Sequence, residues 1–234
     1  MQARYYDPVI GRFLAEDPMN MLSMEMNPGY FNRYMYTMND PINMLDPDGR
    51  ETVTSCEGVS ATCNQGIGGQ TFSGGTAAEN LDSANLAAAK VNAELTGNSG
   101  DEWGTTFEGN ADGSVTASIS YSNGSGGNVS AASAEILQKT DNPVGDQHTH
   151  PGLPDPSYAY ETVGPSGGDI DSANKQASNS GPFTITVVDG PTGNVVSRAG
   201  TPGTYTGNQR TNVPDTGVNR TIGNVGPIPY YKKD

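Results

Sequence analysis

The chain has few basic residues and no long hydrophobic run. Only 12 Lys and Arg stand against 26 Asp and Glu in 234 residues, which gives a formal net charge of −14. This balance argues against binding nucleic acid or an anionic membrane through a broad basic surface. No apolar run approaches the roughly 18 residues of a membrane-spanning helix, and no N-terminal stretch has the order of a signal peptide. We expect no membrane span and, for a secreted protein, delivery by a specialised secretion system.

Hydrophobic residues and cysteine are also scarce. Hydrophobic residues make up 33% of the chain, beside 31 Gly and 16 Pro, and this composition predicts a modest core with long loops. The two cysteines, Cys56 and Cys63, could close a short disulfide loop, although two thiols alone do not fix the redox compartment. Because no second Cys or His pair lies near them, they do not form the pattern of a zinc site.

Composition changes sharply near residue 50. All 8 Met residues precede it, whereas only 3 of the 31 Gly residues do. The first piece alternates aromatic and aliphatic pairs with Asp-Pro and Asn-Asp-Pro turn signals, which is typical of short strands between tight turns. About fifty residues of this kind bury little surface alone, so the piece should need a larger neighbour.

Two motifs in this first piece carry a family resemblance. RYYDPVIGRFLAEDP (Arg4 to Pro18) and RYMYTMNDPINMLDPDG (Arg33 to Gly49), with their spacing, closely resemble the core that ends the shell of Rhs and YD-repeat polymorphic toxins. The resemblance implies that residues 1–50 are an Rhs core fragment, a short irregular β segment that precedes a variable C-terminal toxin. It also implies two partners, the Rhs shell and a cognate immunity protein.

Some members of that family cut themselves just after this core with aspartates. Asp46 and Asp48 occupy the matching Asp-Pro-x-Gly motif here. Turn formation before Pro and Gly explains these two residues equally well. Both readings stay open, and the repeats that would form the shell are missing from this chain.

The second piece has the pattern of an α+β domain. AAENLDSANLAAAKVNAEL predicts an amphipathic helix over Ala77 to Leu95, with Gly97 as its stop signal. Alternating residues on either side of Asn110 to Gly113 predict one hairpin, and a second is expected through Gly190 to Gly193. Helices beside one small mixed sheet fit this order of elements. We divide the second piece into a linker, a domain and an irregular tail, over residues 51–76, 77–200 and 201–234.

The chain contains two histidines, His148 and His150, and both lie in the predicted strand VGDQHTH. Residues i and i+2 of a strand face the same side, so both imidazoles can reach one metal ion. Neutral imidazole suits Zn²⁺, and a catalytic zinc has three protein ligands beside an open position. On chemistry alone, three carboxylates are candidates for the third ligand: Asp155, Asp169 and Asp171.

The order His-x-His-Pro, then Ser-x-x-Asp, resembles the JAMM (JAB/MPN-type) metalloprotease motif. The resemblance implies a cytidine-deaminase-like fold with zinc held by His148, His150 and Asp169. It implies that Glu102 is the general base and that Ser166 stabilises the oxyanion or the zinc-bound water. Bound zinc lowers the pKa of water to about 7, and a nearby carboxylate takes its proton. The expected activity is hydrolysis of a peptide or isopeptide bond in a protein or peptide substrate.

Two neighbours of Glu102 also enter the prediction. Glu108 is its nearest competitor for the role of base, but it falls deeper in the predicted hairpin. Trp103 follows Glu102 directly, and strand alternation places it on the opposite face. We therefore expect Trp103 to pack in the core.

The gap between the two halves of the motif is long. Fifteen residues separate His150 from Ser166, about twice the usual number, so an inserted loop with Tyr158 and Tyr160 should cover the cleft. The same fold without a metal, with the insertion blocking the cleft, would make a binding module instead. A nuclease or deaminase is the weaker alternative, since basic residues are few and Pro-Cys-x-x-Cys is absent from the sequence.

Overall fold

The computed structural model describes residues 4–16, 32–36, 54–55, 61–123, 129–151, 164–206, 209–211 and 215–229. Within these ranges the chain forms three helices and a mostly antiparallel main sheet, as the expected α+β class requires. No helix among the described residues is both long enough and apolar enough to cross a membrane.

The elements are numbered in chain order. The helices of the described ranges are α1 (Ala77–Ser99), α2 (Ser130–Lys139) and α3 (Gly167–Ser180). The strands of the N-terminal half are β1 (Tyr6–Asp7), β2 (Arg12–Phe13), β3 (Thr54–Ser55), β4 (Thr62–Asn64), β5 (Thr71–Phe72), β6 (Gly104–Gly109), β7 (Val115–Ala117) and β8 (Ser120–Ser122). The later strands are β9 (Pro143–His150), β10 (Thr184–Asp189), β11 (Asn194–Ala199), β12 (Thr204–Thr206), β13 (Gln209–Thr211) and β14 (Arg220–Asn224).

The main sheet places β9 at its centre. Its strand order is β14-β11-β10-β9-β6-β8-β4-β3, and β7 pairs with both β6 and β5. β9 and β10 run parallel, with α3 as the crossover between them, while β6 pairs with β9 antiparallel. A central strand with neighbours on both sides and helices on both faces is buried along most of its length, which is what β9 shows.

The side chains of β9 alternate between two helical layers. Gln147 accepts a hydrogen bond from Asn92 of α1, and the hydroxyls of Thr149 and Thr96 share another of 2.5 Å. The opposite face, which carries the two histidines, therefore points away from α1. Contacts to α2 and α3 are made on that second face.

Helix α1 is the longest of the described helices and is fixed at both ends. Thr76 and Glu79 form a capping box at its start, and Gly100 ends it in the left-handed conformation with φ 76°. The expectation that Gly97 stops the helix is wrong, because the helix continues to Ser99. Gly97 serves close packing instead, since a Cβ there would lie 3.2 Å from Cδ of Pro229.

The apolar core lies mainly between α1 and the sheet. The alanine side chains on α1 are small, so the helix approaches β6 closely. They pack against the side chain of Phe107, which is fully buried. The buried residues of this cluster are Ile67, Ala84, Ala87, Ala88, Phe107, Val115 and Ala117.

Parts of the expected linker and tail belong to this domain. Strand β4 pairs with β8, and Ile67 is buried, so the region before α1 contributes to the sheet and the core. Strand β14 pairs with β11, and Ile228 is buried beside Val188 and Val195. Polar strands that pair through their backbones leave no hydrophobic period, which is why the composition predicted a linker and an irregular tail.

The described part of the first fifty residues contains a small hairpin. β1 pairs antiparallel with β2, and the rings of Tyr6, Phe13 and Tyr36 contact one another. The Arg4 guanidinium lies 3.7 Å from the centroid of the Phe13 ring, in cation–π contact.

Three residues named from the sequence, Cys56, Asp46 and Asp48, lie outside the described residues. Cys63 is disulfide-bonded. Self-cleavage and turn formation therefore stay equal alternatives for Asp46 and Asp48.

Gly104 tests the packing between β6, β8 and β9. A Cβ at this position would lie 2.9 Å from the Tyr121 ring and 3.1 Å from the Gln147 carbonyl oxygen. We expect Gly104→Ala to lower the free energy of unfolding by about 1–3 kcal/mol, the usual cost of overpacking. Gly167→Ala is the control, because a Cβ there meets nothing within 4 Å. Equal melting temperatures for the two variants would contradict this packing.

Candidate metal centre

The two histidines converge on one carboxylate. His148 and His150 are each 5% exposed, and their Nε2 atoms lie 3.3 Å apart. Asp169, at the start of α3, places Oδ1 3.3 Å from Nε2 of His148 and Oδ2 3.6 Å from Nε2 of His150. The strand brings the imidazoles together, and the crossover helix brings the carboxylate to them.

The spacing of these atoms fits ligands of a single ion. Tetrahedral zinc has bonds of about 2.0–2.1 Å to nitrogen and oxygen, which puts neighbouring ligand atoms about 3.3–3.4 Å apart. The two Nε2 atoms lie 3.3 Å apart, and Asp169 faces His148 with Oδ1 at 3.3 Å and His150 with Oδ2 at 3.6 Å. With one atom taken from each residue, the three ligand atoms lie within 4.8 Å of one another. Two imidazole nitrogens and a carboxylate oxygen are also donors that divalent transition metals accept. The buried group of His148, His150 and Asp169 could therefore hold a metal ion.

Asp169 owes its position to the helix cap. Ser166 is the N-cap of α3; its backbone N–H donates to Oδ2 of Asp169 at 2.7 Å, and its Oγ accepts from the Asp169 N–H at 3.4 Å. The helix begins at Gly167, two residues before Asp169. This capping box fixes the Asp169 carboxylate with one oxygen toward each imidazole. Ser166 lines the same cleft, and its predicted catalytic role stays a prediction.

Glu102 lies beside the histidine end of β9. The Thr149 N–H donates to the Trp103 carbonyl at 3.0 Å, which places Glu102 next to His150 across the two strands. Oε2 of Glu102 accepts a hydrogen bond of 2.9 Å from the Val129 N–H, at the start of α2. The carboxylate therefore lines the same cleft as the imidazoles.

The two neighbours of Glu102 take the expected places. Glu108 pairs with Pro143 at the other end of β9, far along the strand from His148. Trp103 is buried as predicted, and its Nε1–H donates to Oγ of Ser99 at 3.0 Å. Register alone thus favours Glu102 over Glu108 as the acidic partner of the site.

The site opens into a cleft of about 780 Å³ between α2 and α3. Its walls combine hydroxyl and amide side chains with the cation of Lys175 and with apolar residues such as Leu137 and Ile185. The residues that face it include Glu102, Ser133, Asp146, His148, His150, Ser166, Asp169, Ser172 and Gln176.

Asp146 is a buried carboxylate that the sequence analysis missed. It precedes His148 by two residues, is 4% exposed and lines the cleft. Its Oδ1 accepts hydrogen bonds from Tyr121 at 2.5 Å and Thr106 at 3.2 Å, and its Oδ2 accepts one from Ser133 at 2.5 Å. Strand alternation could have placed it beside the histidines, but its three hydroxyl partners are far away in sequence.

The electrostatics of the site favour positive charge. Burial alone would lower the pKa of His148, but the carboxylates of Asp169, Asp146 and Glu102 raise it above its ordinary value. Burial would raise the pKa of Asp169, yet its interactions with His148 and His150 hold that pKa well below its ordinary value. Burial raises the pKa of Asp146, and the hydrogen bonds from its hydroxyl partners offset only part of this. Three carboxylates thus surround the imidazoles: Asp169 from α3, Glu102 from the stretch before β6 and Asp146 from β9.

Of the remaining candidates of the sequence analysis, the structure describes Asp171 alone. Asp171 is exposed on α3. Asp155, Tyr158 and Tyr160 lie outside the described residues. A substrate role for the two tyrosines therefore stays a prediction.

A short part of the chain is similar to a known protein. The chain is 44% identical over 52 residues to salivary gland surface protein 1 of Aedes aegypti, and the match covers 22% of this chain but 1% of that protein. No protein-family model matches the chain, and no solved structure matches it. The chain spans so little of this relative that the site is interpreted from its own residues.

Metal binding can be measured directly on the purified chain. We expect one zinc or other divalent transition ion per chain in the wild type, and loss of it in His148→Ala/His150→Ala and in Asp169→Asn. Asp171→Asn is the matched control and should keep the ion, because this carboxylate is exposed and lies outside the ligand group. Elemental analysis after dialysis gives the stoichiometry. Equal metal content in Asp169→Asn and Asp171→Asn would contradict the assignment.

Bound metal should also stabilise the fold. A ligand at 100 times its dissociation constant adds about 2.7 kcal/mol when it binds only the folded state. For a domain of this size that corresponds to a rise in melting temperature of about 5–10 °C. Thermal scans with and without a chelator measure the rise, which should vanish in the double histidine variant. A chelator-sensitive melting temperature in that variant would place the ion elsewhere.

Proposed function

We propose that this chain is a zinc-dependent peptidase or isopeptidase of the JAMM type. The observation that carries the proposal is the convergence of His148, His150 and Asp169 at ligand spacing, with Glu102 in the same cleft. His148, His150 and Asp169 are also the residues that the resemblance of the His-x-His-Pro and Ser-x-x-Asp pattern implies as ligands, which supports the proposal. The JAMM fold and the identity of the metal are part of the proposal.

In the proposed reaction His148, His150 and Asp169 hold the zinc. When bound, zinc would polarise the scissile carbonyl and lower the pKa of water to about 7. The buried ligands and their short mutual distances keep this position fixed in the wall of the cleft. The hydroxyl and amide side chains of the cleft, such as Ser172 and Gln176, offer partners for a peptide, whose main chain has a donor and an acceptor at each residue.

Glu102 is the proposed general base. The Val129 N–H holds its carboxylate at the cleft beside the histidine end of β9. From there it would take a proton from the attacking water and return it to the leaving amine, so that the amide bond breaks into a carboxylate and an amine. The base is shared by peptide and isopeptide hydrolysis, which differ only in the amine that leaves.

Ser166 is the proposed oxyanion partner. Its oxygen accepts the Asp169 N–H in the helix cap, and a hydroxyl can donate one hydrogen bond while its oxygen accepts another. A donor at this edge of the cleft would stabilise the negative charge that develops on the carbonyl oxygen.

The first fifty residues support a delivered effector as the setting for this activity. Their two motifs resemble the core that precedes the toxin of Rhs proteins. An effector of that type would travel with the Rhs shell through a specialised secretion system in bacterial competition. A cognate immunity protein would neutralise it in the producing cell.

Glu102→Gln tests the reaction. With zinc-loaded protein and a panel of peptides and lysine-linked isopeptides, we expect hydrolysis to fall by about 10²–10⁴-fold, the usual contribution of a general base. Zinc content should not change. Glu108→Gln is the control and should keep wild-type activity, because Glu108 pairs at the far end of β9. Mass spectrometry in ¹⁸O-labelled water measures solvent oxygen in the new carboxylate.

Two outcomes would contradict the proposal. Activity in Glu102→Gln equal to that of Glu108→Gln would place the base elsewhere. A zinc-loaded wild type that cleaves neither class of bond would leave a binding module with the same metal site.

A further inference from the structure

The start of α2 depends on partners outside the helix. Val129 is its N-cap residue, and the Val129 side chain makes no capping hydrogen bond. The Val129 N–H donates to Glu102, and the Ala132 N–H donates to Oδ1 of Asn123 at 3.2 Å. Because the first N–H groups of a helix have no partner inside it, these two contacts satisfy donors that would otherwise be lost.

Ser133 links the first turn of α2 to Asp146, which lines the cleft. Its N–H donates to the Val129 carbonyl at 2.9 Å, and its hydroxyl donates to Oδ2 of Asp146 at 2.5 Å. Tyr121 and Thr106 bind the other oxygen of Asp146 from β8 and β6. Asp146 therefore gives α2 a polar attachment to the sheet, beside the apolar packing of Val129 and Ala132 against Tyr121.

These contacts form a continuous path between the two carboxylates. It runs from Asp146 to the Ser133 hydroxyl, through the Ser133 N–H to the Val129 carbonyl, and from the Val129 N–H to Glu102. Asp146 and Ser133 are both buried, so the hydrogen bond between them is shielded from water. Hydrogen bonds to a carboxylate are stronger than those between neutral groups, and buried ones are costly to break.

We propose that Asp146 and Ser133 are positioning residues that hold Glu102 beside the histidine pair through the amino-terminal end of α2. The inference rests on the proposed function for the catalytic meaning of Glu102. The path itself is a property of the folded chain, so its test does not require activity. Removing the Ser133 hydroxyl leaves Oδ2 of Asp146 without that donor and frees the first turn of α2 to move.

Hydrogen exchange at the Val129 amide tests the path in the full metal-free chain. In Ser133→Ala we expect this amide to exchange at least about tenfold faster, because its turn is no longer fastened. Ser133→Thr, which keeps the hydroxyl, should restore the protection. Ser83→Ala is the matched control: its hydroxyl also sits in a helix and donates to the Glu79 carbonyl, on α1. That variant should leave Val129 unchanged.

The comparison with the rest of the sheet separates positioning from general destabilisation. Amides of β10 and β11 should keep their wild-type protection in Ser133→Ala. Faster exchange throughout the protein, or unchanged exchange at Val129, would overturn the proposal. Glu102→Ala should accelerate the Val129 amide directly, whether or not the chain hydrolyses anything.

Kinetics give a second readout once a substrate is available. Ser133→Ala should lower kcat about tenfold or more and leave KM within about twofold, because the base is displaced while the cleft walls remain. In a Glu102→Gln background the same substitution should have no further effect, since both changes act through one group. A kcat of the double variant well below that of Glu102→Gln alone would overturn the proposal. Absence of hydrolysis by the wild type would count against the proposed function. The hydrogen-exchange result would still test the path.

Discussion

The packing of α1 against one face of β9 determines which side chains the strand presents on its other face. Gln147 and Thr149 are engaged by Asn92 and Thr96, so the strand cannot slip without breaking buried hydrogen bonds. Because side chains alternate, this fixes the histidines on the opposite face. A shift by a single residue would turn the imidazoles into the α1 layer and bring Gln147 into the cleft.

The site is a concentration of negative charge around two imidazoles. Asp169 comes from the crossover helix, Glu102 from the stretch before β6, and Asp146 from β9 itself. Each carboxylate is held by a hydrogen bond: Asp169 by the N–H of its own helix cap, Ser166, and Glu102 and Asp146 by the Val129 N–H and the Ser133 hydroxyl of α2 and its cap. Burying carboxylates is costly unless positive charge or strong donors compensate. A divalent cation among them would supply that compensation.

Local rules of sequence reached part of this arrangement. The spacing of His148 and His150 gives a shared face directly, since the period of a strand is two. Asp169 was selected from three carboxylates by motif resemblance, and the capping box explains why it can reach both imidazoles. Asp146 was missed, although alternation along β9 puts it on the histidine face, and its hydroxyl partners are long-range contacts.

Other features could not be predicted because they depend on pairing and close approach. The polar strand β14 joins the sheet through its backbone, and composition alone marks such a segment as a tail. Gly97 is a helix stop by local rules, yet the contact with Pro229 makes it a packing residue. Motif resemblance selected Glu102 over Glu108, but its place beside the histidine end of β9 depends on the pairing register of β6 and β9.

X-ray absorption spectroscopy of the zinc-loaded chain tests the central claim most directly. Our account predicts four nitrogen and oxygen ligands at about 2.0–2.1 Å, with outer-shell scattering from two imidazoles. His148→Ala should lose the scattering of one imidazole. A spectrum without imidazole scattering, or with a shell of sulfur ligands at about 2.3 Å, would contradict the account.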